Sequence, residues 1–425
     1  MKKPKKNYWE ERSRMSNIPK LRFPEFSGEW EEKRIQDFAE CCAGATPDTK
    51  KDEYWIDGTI PWMSSGEVNN TFIYSTEKKI TQLGYDKTST KLLPSNTVVI
   101  ALAGQGKTRG TVAITRIELC TNQSLCAVLP DINLNSEYLF YFLSSQYKQL
   151  RNSSTGGDDS RGGLNLKIIG NFRLPYTTLA EQQKIADFLS NVDSIITAET
   201  KILNTLQKKK KALMQKLFTQ QLRFKSDDGT DFPAWEEKKL GDVCSVLSGK
   251  RVPKGNKLTS VNTGLKYITV SDMGDKFVSN KDIKYITQEI ETKIKKYKVI
   301  TGDIIISVAG TLGKVNIITE EFNNANLTEN CDKLTEFKGG ITEYLFYFLQ
   351  SEKFLDEINR IKTSSAQPKL ALDRLRIFVI PIPIIEEQQK IADCLSCMDS
   401  LIQTQQKVVT TWQQRKKALL QQMFI

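Results

Sequence analysis

Glu181-Gln-Gln-Lys-Ile-Ala-Asp-Phe-Leu-Ser-Asn-Val-Asp193 returns 206 residues later as Glu387-Gln-Gln-Lys-Ile-Ala-Asp-Cys-Leu-Ser-Cys-Met-Asp399, with ten of thirteen positions identical. The register extends forward, pairing Lys211-Ala-Leu213 with Lys417-Ala-Leu419 and Phe218 with Phe424. It extends backward too, where Tyr138-Leu-Phe-Tyr-Phe-Leu143 matches Tyr344-Leu-Phe-Tyr-Phe-Leu349. Near the front of each copy, Leu21-Arg-Phe23 and Trp30-Glu-Glu-Lys33 return as Leu222-Arg-Phe224 and Trp235-Glu-Glu-Lys238. Two long copies, each enclosing a variable stretch, are duplicated domains and not a solenoid array.

The repeated stretch opens a helix whose period can be counted. Ile185, Leu189, Val192, Ile196, Glu199, Leu203, Leu206, Lys210, Leu213 and Leu217 advance in steps of four and three. The second copy places Ile391, Leu395, Met398, Ile402, Gln405, Val409, Trp412, Lys416, Leu419 and Met423 at the same positions. A seven-residue period with no Pro or Gly inside predicts a coiled coil, about 60 Å long for roughly 40 residues. Because the intervening body returns the chain, the simplest pairing is antiparallel. The polar interruptions at Glu199/Gln405 and Lys210/Lys416 suit a register-setting role.

The bodies between these helices read as mixed α/β. Thr97–Ala103 and Thr111–Thr115 predict strands around the turn 104–110, and Asp303–Ala309 and Val315–Ile318 repeat that hairpin around 310–314. Tyr138–Ser145 and Tyr344–Ser351 predict short aromatic core helices. Leu164, Leu166, Ile169, Phe172 and Pro175 align with Leu370, Leu372, Leu375, Phe378 and Pro381 and predict a strand approach into each long helix.

Composition narrows the function. The chain has 425 residues, enough for two to four units at roughly 100–200 residues each, and its 39% hydrophobic and 26% charged content is that of a globular protein. No apolar run approaches the roughly 18–20 residues of a membrane helix. The basic start has no apolar core behind it and is no signal peptide, so a cytoplasmic protein is expected. Lys and Arg exceed Asp and Glu by 61 to 50, which favours a polyanionic partner. Histidine is absent, removing the commonest general base and imidazole metal ligand. The eight cysteines are expected to be reduced thiols, and Cys394-x-x-Cys397 reads as buried or semi-exposed helix positions instead of a zinc or redox site.

Catalytic signatures are missing. Ala101-Leu-Ala-Gly-Gln-Gly-Lys-Thr108 nearly spells a phosphate-binding loop, but the first position is Ala, and the repeat copy has Ser307 there. No dinucleotide fingerprint, methyltransferase tetrapeptide or nuclease carboxylate spacing stands out. No catalytic residue, metal site or cofactor is expected. DNA-binding candidates are Ser64, Ser65 and Glu67 after one strand and Ser271 after its counterpart. Lys107, Thr108, Arg109 and Lys314 are expected to project from tight hairpins, and Arg161, Gln367 and Lys369 lie on two further loops. Cations and short polar side chains on turns suit phosphate and base-edge contacts.

Leu21-Arg-Phe-Pro-Glu-Phe26, the two Trp-Glu-Glu-Lys leads, Ala309-Gly-Thr-Leu-Gly-Lys314 and both Glu-Gln-Gln-Lys-Ile-Ala-Asp helices together resemble the specificity subunit of type I restriction-modification systems. The resemblance spans essentially residues 15–425. It implies a mixed α/β fold with two target recognition domains, each reading half of a split DNA target, held by two long helices in an antiparallel coiled coil with an internal pseudo-twofold repeat. It also implies partners: double-stranded DNA, two modification (methyltransferase) subunits, and ATP-dependent restriction subunits. The expected divisions are a basic extension 1–20, recognition domain 21–178, helix 179–221, recognition domain 222–384 and helix 385–425. The helix interface is expected to use Ile185, Leu189, Val192, Ile196, Leu203, Leu206 and Leu213 with Ile391, Leu395, Met398, Ile402, Val409, Trp412 and Leu419. The alternative reading is a self-standing sequence-specific DNA-binding or scaffold protein.

Overall fold

The computed structural model describes residues 17–104, 108–154, 163–363 and 369–424. The fold is mixed α/β, with two repeated bodies joined by two long helices, Leu179–Phe218 and Ile385–Met423. The chain divides into two compact units. The first ends at Thr200 and resumes at Lys407, and the second is Lys201–Gln406, so each long helix contributes to both.

In the first unit, Val98–Ala101 is buried along its whole length because its apolar run packs on both faces. It lies inside a five-stranded sheet in the order Ala39–Ala43, Leu125–Pro130, Val98–Ala101, Val112–Thr115, Phe72–Ile73. Val98, Ile100, Val112 and Ile114 pack on one side with the helix Ser136–Ser145, whose residues Tyr138 to Leu143 are all buried. A helix apolar all round belongs inside a core. Asn135 starts it by accepting the Tyr138 N–H. The opposite side holds Met63, Val68, Ile73, Val99 and Leu125.

The second unit repeats this plan with four strands, in the order Ser245–Ser248, Cys331–Thr335, Ile304–Ser307, Val315–Ile317. Its aromatic helix is Thr342–Phe348, with Tyr344 to Phe348 buried. One backbone approach recurs in both units. A Cβ on Gly44 would stand 1.8 Å from the Thr121 carbonyl oxygen, and one on Gly249 would stand 2.0 Å from that of Thr328.

The expected strand approach to each long helix is instead a helical turn followed by a strand: Leu166–Gly170 then Arg173–Tyr176, and Leu372–Ile377 then Val379–Ile382. Asn165 caps the first turn by accepting the Ile168 N–H, a local bond that competes with extended pairing. Each strand then pairs antiparallel with the Glu-Glu-Lys of its own lead, Glu31–Arg34 or Glu236–Lys239. Pro175 and Pro381 are tolerated because these ribbons have only two strands and an open edge.

The first long helix stops at Phe218, short of the expected 221, where Gln220 takes φ +59°. The cysteines are free thiols. Cys394 is half-buried, but Cys397 is exposed, because its place in the helix falls off the apolar seam. Among the described residues no helix is long and apolar enough to cross a membrane.

Candidate nucleic-acid interface

The most repeated motif proves to be a clamp. Glu181 is buried at the start of the first long helix, and Arg22 donates to both its oxygens, at 2.7 and 2.8 Å. The Trp30 indole N–H donates to it at 3.1 Å, and the Thr177 hydroxyl donates to it as well. In the second unit Arg223 holds buried Glu387 at 3.0 and 2.7 Å, with the Trp235 indole N–H at 2.8 Å. Four charge-assisted bonds compensate the desolvated carboxylate in the first unit and three in the second, and the acid also suits the positive helix N-terminus.

The next residue closes the helix entry. The Gln182 amide donates to the Thr177 and Asn133 carbonyls, and its oxygen accepts the Asn135 N–H. Gln388 does the same with Pro383, Gly339 and Ile341. Tyr138 and Tyr344 anchor the aromatic helices by donating to the Pro175 and Pro381 carbonyls. Burial pushes both phenols above their ordinary range.

Further along, the helices pair antiparallel within each unit. In the first, Ile185 and Leu189 share a core with Met423 and Phe424, and Lys416 donates to both oxygens of Asp193, at 2.6 and 2.8 Å. In the second, Leu217 and Phe218 share a core with Ile391 and Leu395, and Lys210 donates to Asp399 at 2.5 Å. The expected seam residues Ile185, Leu189, Val192, Leu203, Ile391, Leu395 and Val409 are buried; Ile196, Leu206, Leu213, Met398, Ile402, Trp412 and Leu419 are half-buried.

The candidate DNA residues divide. Ser64 and Ser65 are half-buried on a turn, and Ser271 is exposed on the equivalent one. Glu67 corrects the expectation. It is 4% exposed, its carboxylate accepting the Ser64 N–H and hydroxyl and the Glu77 N–H, so it builds the turn and does not face a ligand. Asp272 plays that part in the second unit, accepting the Thr269 N–H and hydroxyl. Arg109 is likewise inside the body, at 5% exposure, while Thr108 is half-buried.

Lys314 does not project either. Half-buried, its ammonium donates to the Met273 carbonyl. That bond brings the 310–314 hairpin against the Ser271 turn, and a bridge between Ala309 and exposed Lys369 adds a third segment. Ser271, Lys314 and Lys369 therefore gather at one end of the second body. Lys107, Arg161 and Gln367 lie outside the described residues.

Spacing did not single out Asp332. It is buried beside that hairpin, and its Oδ2 has no hydrogen-bond partner among the described residues. Burial pushes its carboxyl up to about 6. It also did not pair Asp193 with Lys416 or Asp399 with Lys210. The available signal was that both aspartates close the repeated motif and both lysines interrupt the apolar seam.

The family model for the type I restriction modification DNA specificity domain matches twice, over residues 27–208 and 234–411. The chain belongs to the type I restriction-modification DNA-specificity family. Among its relatives, the type I restriction enzyme MjaVIII specificity subunit of Methanocaldococcus jannaschii is 26% identical over 410 residues, 94% of this chain and 92% of the relative. The MjaIX specificity subunit of the same organism is 30% identical over 257 residues, 58% of this chain and 57% of the relative. The crystal structure of a type I restriction-modification S subunit from M. genitalium shares the fold, with a TM-score of 0.57 at 18% identity, covering 96% of this chain and 99% of that one. Each family match spans one Trp-Glu-Glu-Lys lead and one Glu-Gln-Gln-Lys helix start of this chain, while the clamp arginines Arg22 and Arg223 lie just before the matched ranges.

Proposed function

We propose that this chain is the non-catalytic specificity subunit of a type I restriction-modification complex, reading a split, asymmetric DNA target. The carrying observation is a contrast between two surfaces. The clamps agree in their arginine and tryptophan bonds, Arg22–Glu181–Trp30 with Arg223–Glu387–Trp235, whereas the turns differ, Ser64-Ser-Gly-Glu67 standing where Thr269-Val-Ser-Asp272 stands. Equivalent scaffolds that present unlike turns read unlike half-sites.

In this reading, residues 21–178 and 222–384 are the recognition domains, 179–221 and 385–425 are the scaffold, and 1–20 is an extension. Ser64, Ser65, Thr108, Ser271 and Lys369 contact DNA together with Lys107, Arg161 and Gln367, and Lys314 holds its hairpin against the Ser271 turn. Phosphate contacts supply most of the affinity, and base contacts supply the choice. Two modification subunits, S-adenosylmethionine-dependent adenine methyltransferases, dock on the scaffold and do the methylation, and ATP-dependent restriction subunits do the cutting. The protein needs no cofactor of its own and works in the cytoplasm.

Methylome sequencing of a host expressing this chain with its modification subunit tests the reading. The expected product is a two-part motif with unlike halves, and exchanging residues 21–178 for another member's body changes one half only. A continuous or palindromic motif, or methylation by the chain alone, overturns it.

A further inference from the structure

The two repeats carry an equivalent cleft that only one of them has neutralised. In the first unit the aromatic helix Ser136–Ser145 ends, Gln146 makes a corner, and a second helix, Tyr147–Asn152, follows. Between these residues and the end of the long helix Ile385–Met423 lies a cleft of about 740 Å³. Lys417, Leu420 and Gln421 line it from the long helix, and Lys148, Gln149 and Ser153 line it from the body. Among the described residues no carboxylate lines the cleft, and neither lysine, both of them exposed, has an ion-pair partner.

In the second unit Lys211 stands for Lys417, Met214 for Leu420, Gln215 for Gln421 and Glu352 for Gln146. That cleft is smaller, about 510 Å³, and its lysine is already answered, the Lys211 ammonium lying 3.2 Å from the Glu352 carboxylate. Asp356 adds a second acid there, and among the described residues no second lysine lines it. An exposed pair of this kind adds little stability; its effect is to cancel a charge. The repeat thus shows that the fold does not require a cationic cleft, and the first unit keeps one.

The first cleft adjoins a hairpin that faces it across one helix. A Cβ on Gly110 would meet Arg151 and Leu150 at 3.2 and 3.5 Å, so the hairpin that carries Thr108 rests on the helix Tyr147–Asn152, which also lines the cleft. A helix is about 10–12 Å across, a distance of about three base pairs at roughly 3.4 Å each. Two cations among hydroxyls and amides match the several acceptor oxygens of a phosphate. Resting on the specificity-subunit reading, we propose that this cleft is a phosphate-binding site for the DNA backbone flanking the bases read by the first body, with Lys148 and Lys417 as its cations. The second cleft, its charge cancelled from within, holds no phosphate. The grip on the backbone is therefore unequal between two bodies whose clamps match.

The test measures binding of the full chain, assembled with its modification subunit, to a fluorescent duplex bearing the methylated motif and to a scrambled duplex of equal length, across a salt series. Lys148→Ala and Lys417→Ala each reduce the slope of log affinity against log salt by about 1, on both duplexes alike, whereas Lys417→Arg keeps the wild-type slope. Gln146→Glu, which installs the acid of the second unit, reduces the slope as well. Lys211→Ala leaves it unchanged, and the methylated motif is the same in every variant. Unchanged slopes in Lys148→Ala and Lys417→Ala, or an equal reduction in Lys211→Ala, overturn the inference and leave the function standing. Loss of the modification subunit from the Lys417→Ala complex without a change of slope also overturns it, and gives the cleft to an acidic protein segment. If the wild-type complex methylates no split motif, the function fails and takes the inference with it.

Discussion

The Arg22 guanidinium reaches across 159 residues of sequence to hold Glu181 by two parallel hydrogen bonds, Nε to Oε1 at 2.7 Å and Nη2 to Oε2 at 2.8 Å. Arg22 is itself largely screened, and Glu181 is 1% exposed, so the pair is a desolvated one. Removing one partner leaves the other uncompensated. Arg22→Met is expected to cost about 3–5 kcal/mol of stability, read by urea denaturation, whereas the Arg22→Met, Glu181→Met double variant recovers much of that loss.

Asp332 predicts a pH dependence with a definite sign. Its folded carboxyl titrates at about 6 against an ordinary 3.8, because burial penalises the charged form. The native state therefore binds this proton more tightly than the unfolded state does. The resulting cost is absent below about pH 4, grows as pH rises, and is complete above about pH 6. Asp332→Asn removes it. The variant is expected to exceed wild type by up to about 3 kcal/mol at pH 8 and to match it near pH 4, compared by thermal melts at both values.

Phe424 packs edge-on against Tyr138 and Phe142, and Phe218 packs in the same way against Tyr344 and Phe348. The tip of each long helix is therefore core for the unit that receives it. Phe424→Ala and Phe218→Ala are each expected to cost about 3–5 kcal/mol. Limited proteolysis should show the cleavage sites concentrated in the first unit for Phe424→Ala and in the second for Phe218→Ala.

Gly44 and Gly249 have no space for a methyl group, since the obstructing atom is a backbone carbonyl oxygen in both cases. A flexible side chain could swing away, but a carbonyl in a strand or its flank cannot. Gly44→Ala and Gly249→Ala are expected to lower the melting temperature by several degrees, whereas Gly28→Ala, with open space around it, costs only the strain of its positive φ, about 1–2 kcal/mol.

Lys369 is exposed beside the hairpin that carries Lys314. Lys369→Ala is expected to weaken binding to all DNA sequences alike and to reduce the slope of log affinity against log salt by about 1. Fluorescence anisotropy across a salt series checks this, and an unchanged slope would remove Lys369 from the interface.

Much of the scaffold was readable along the chain, because helix periodicity and duplication are local or near-identical signals. Leu189 and Leu395 could be placed on a seam by counting. Lys416 was visible as an interruption of that seam, though its partner Asp193 was not. The recognition surface was harder to read. Glu67 and Arg109 looked like groove contacts because charged residues on turns are usually solvated, yet both are buried by packing from elsewhere in their body. No spacing rule carries that information. The Gly-rich hairpin 310–314 was correctly placed, but the Lys314 ammonium found a carbonyl 41 residues away.

By itself the amino-acid order determined that the protein is built twice, that each copy ends in a long coiled-coil helix, and that no histidine chemistry is available. Those properties depend on composition and short-range period. Only the tertiary structure decided that Glu181 and Glu387 are clamped by an arginine and a tryptophan from their leads, that Asp193 answers Lys416, and that Asp332 is left under-partnered. Each of those outcomes depends on which distant group excludes water from a charge, and that exclusion exists only once the chain has folded.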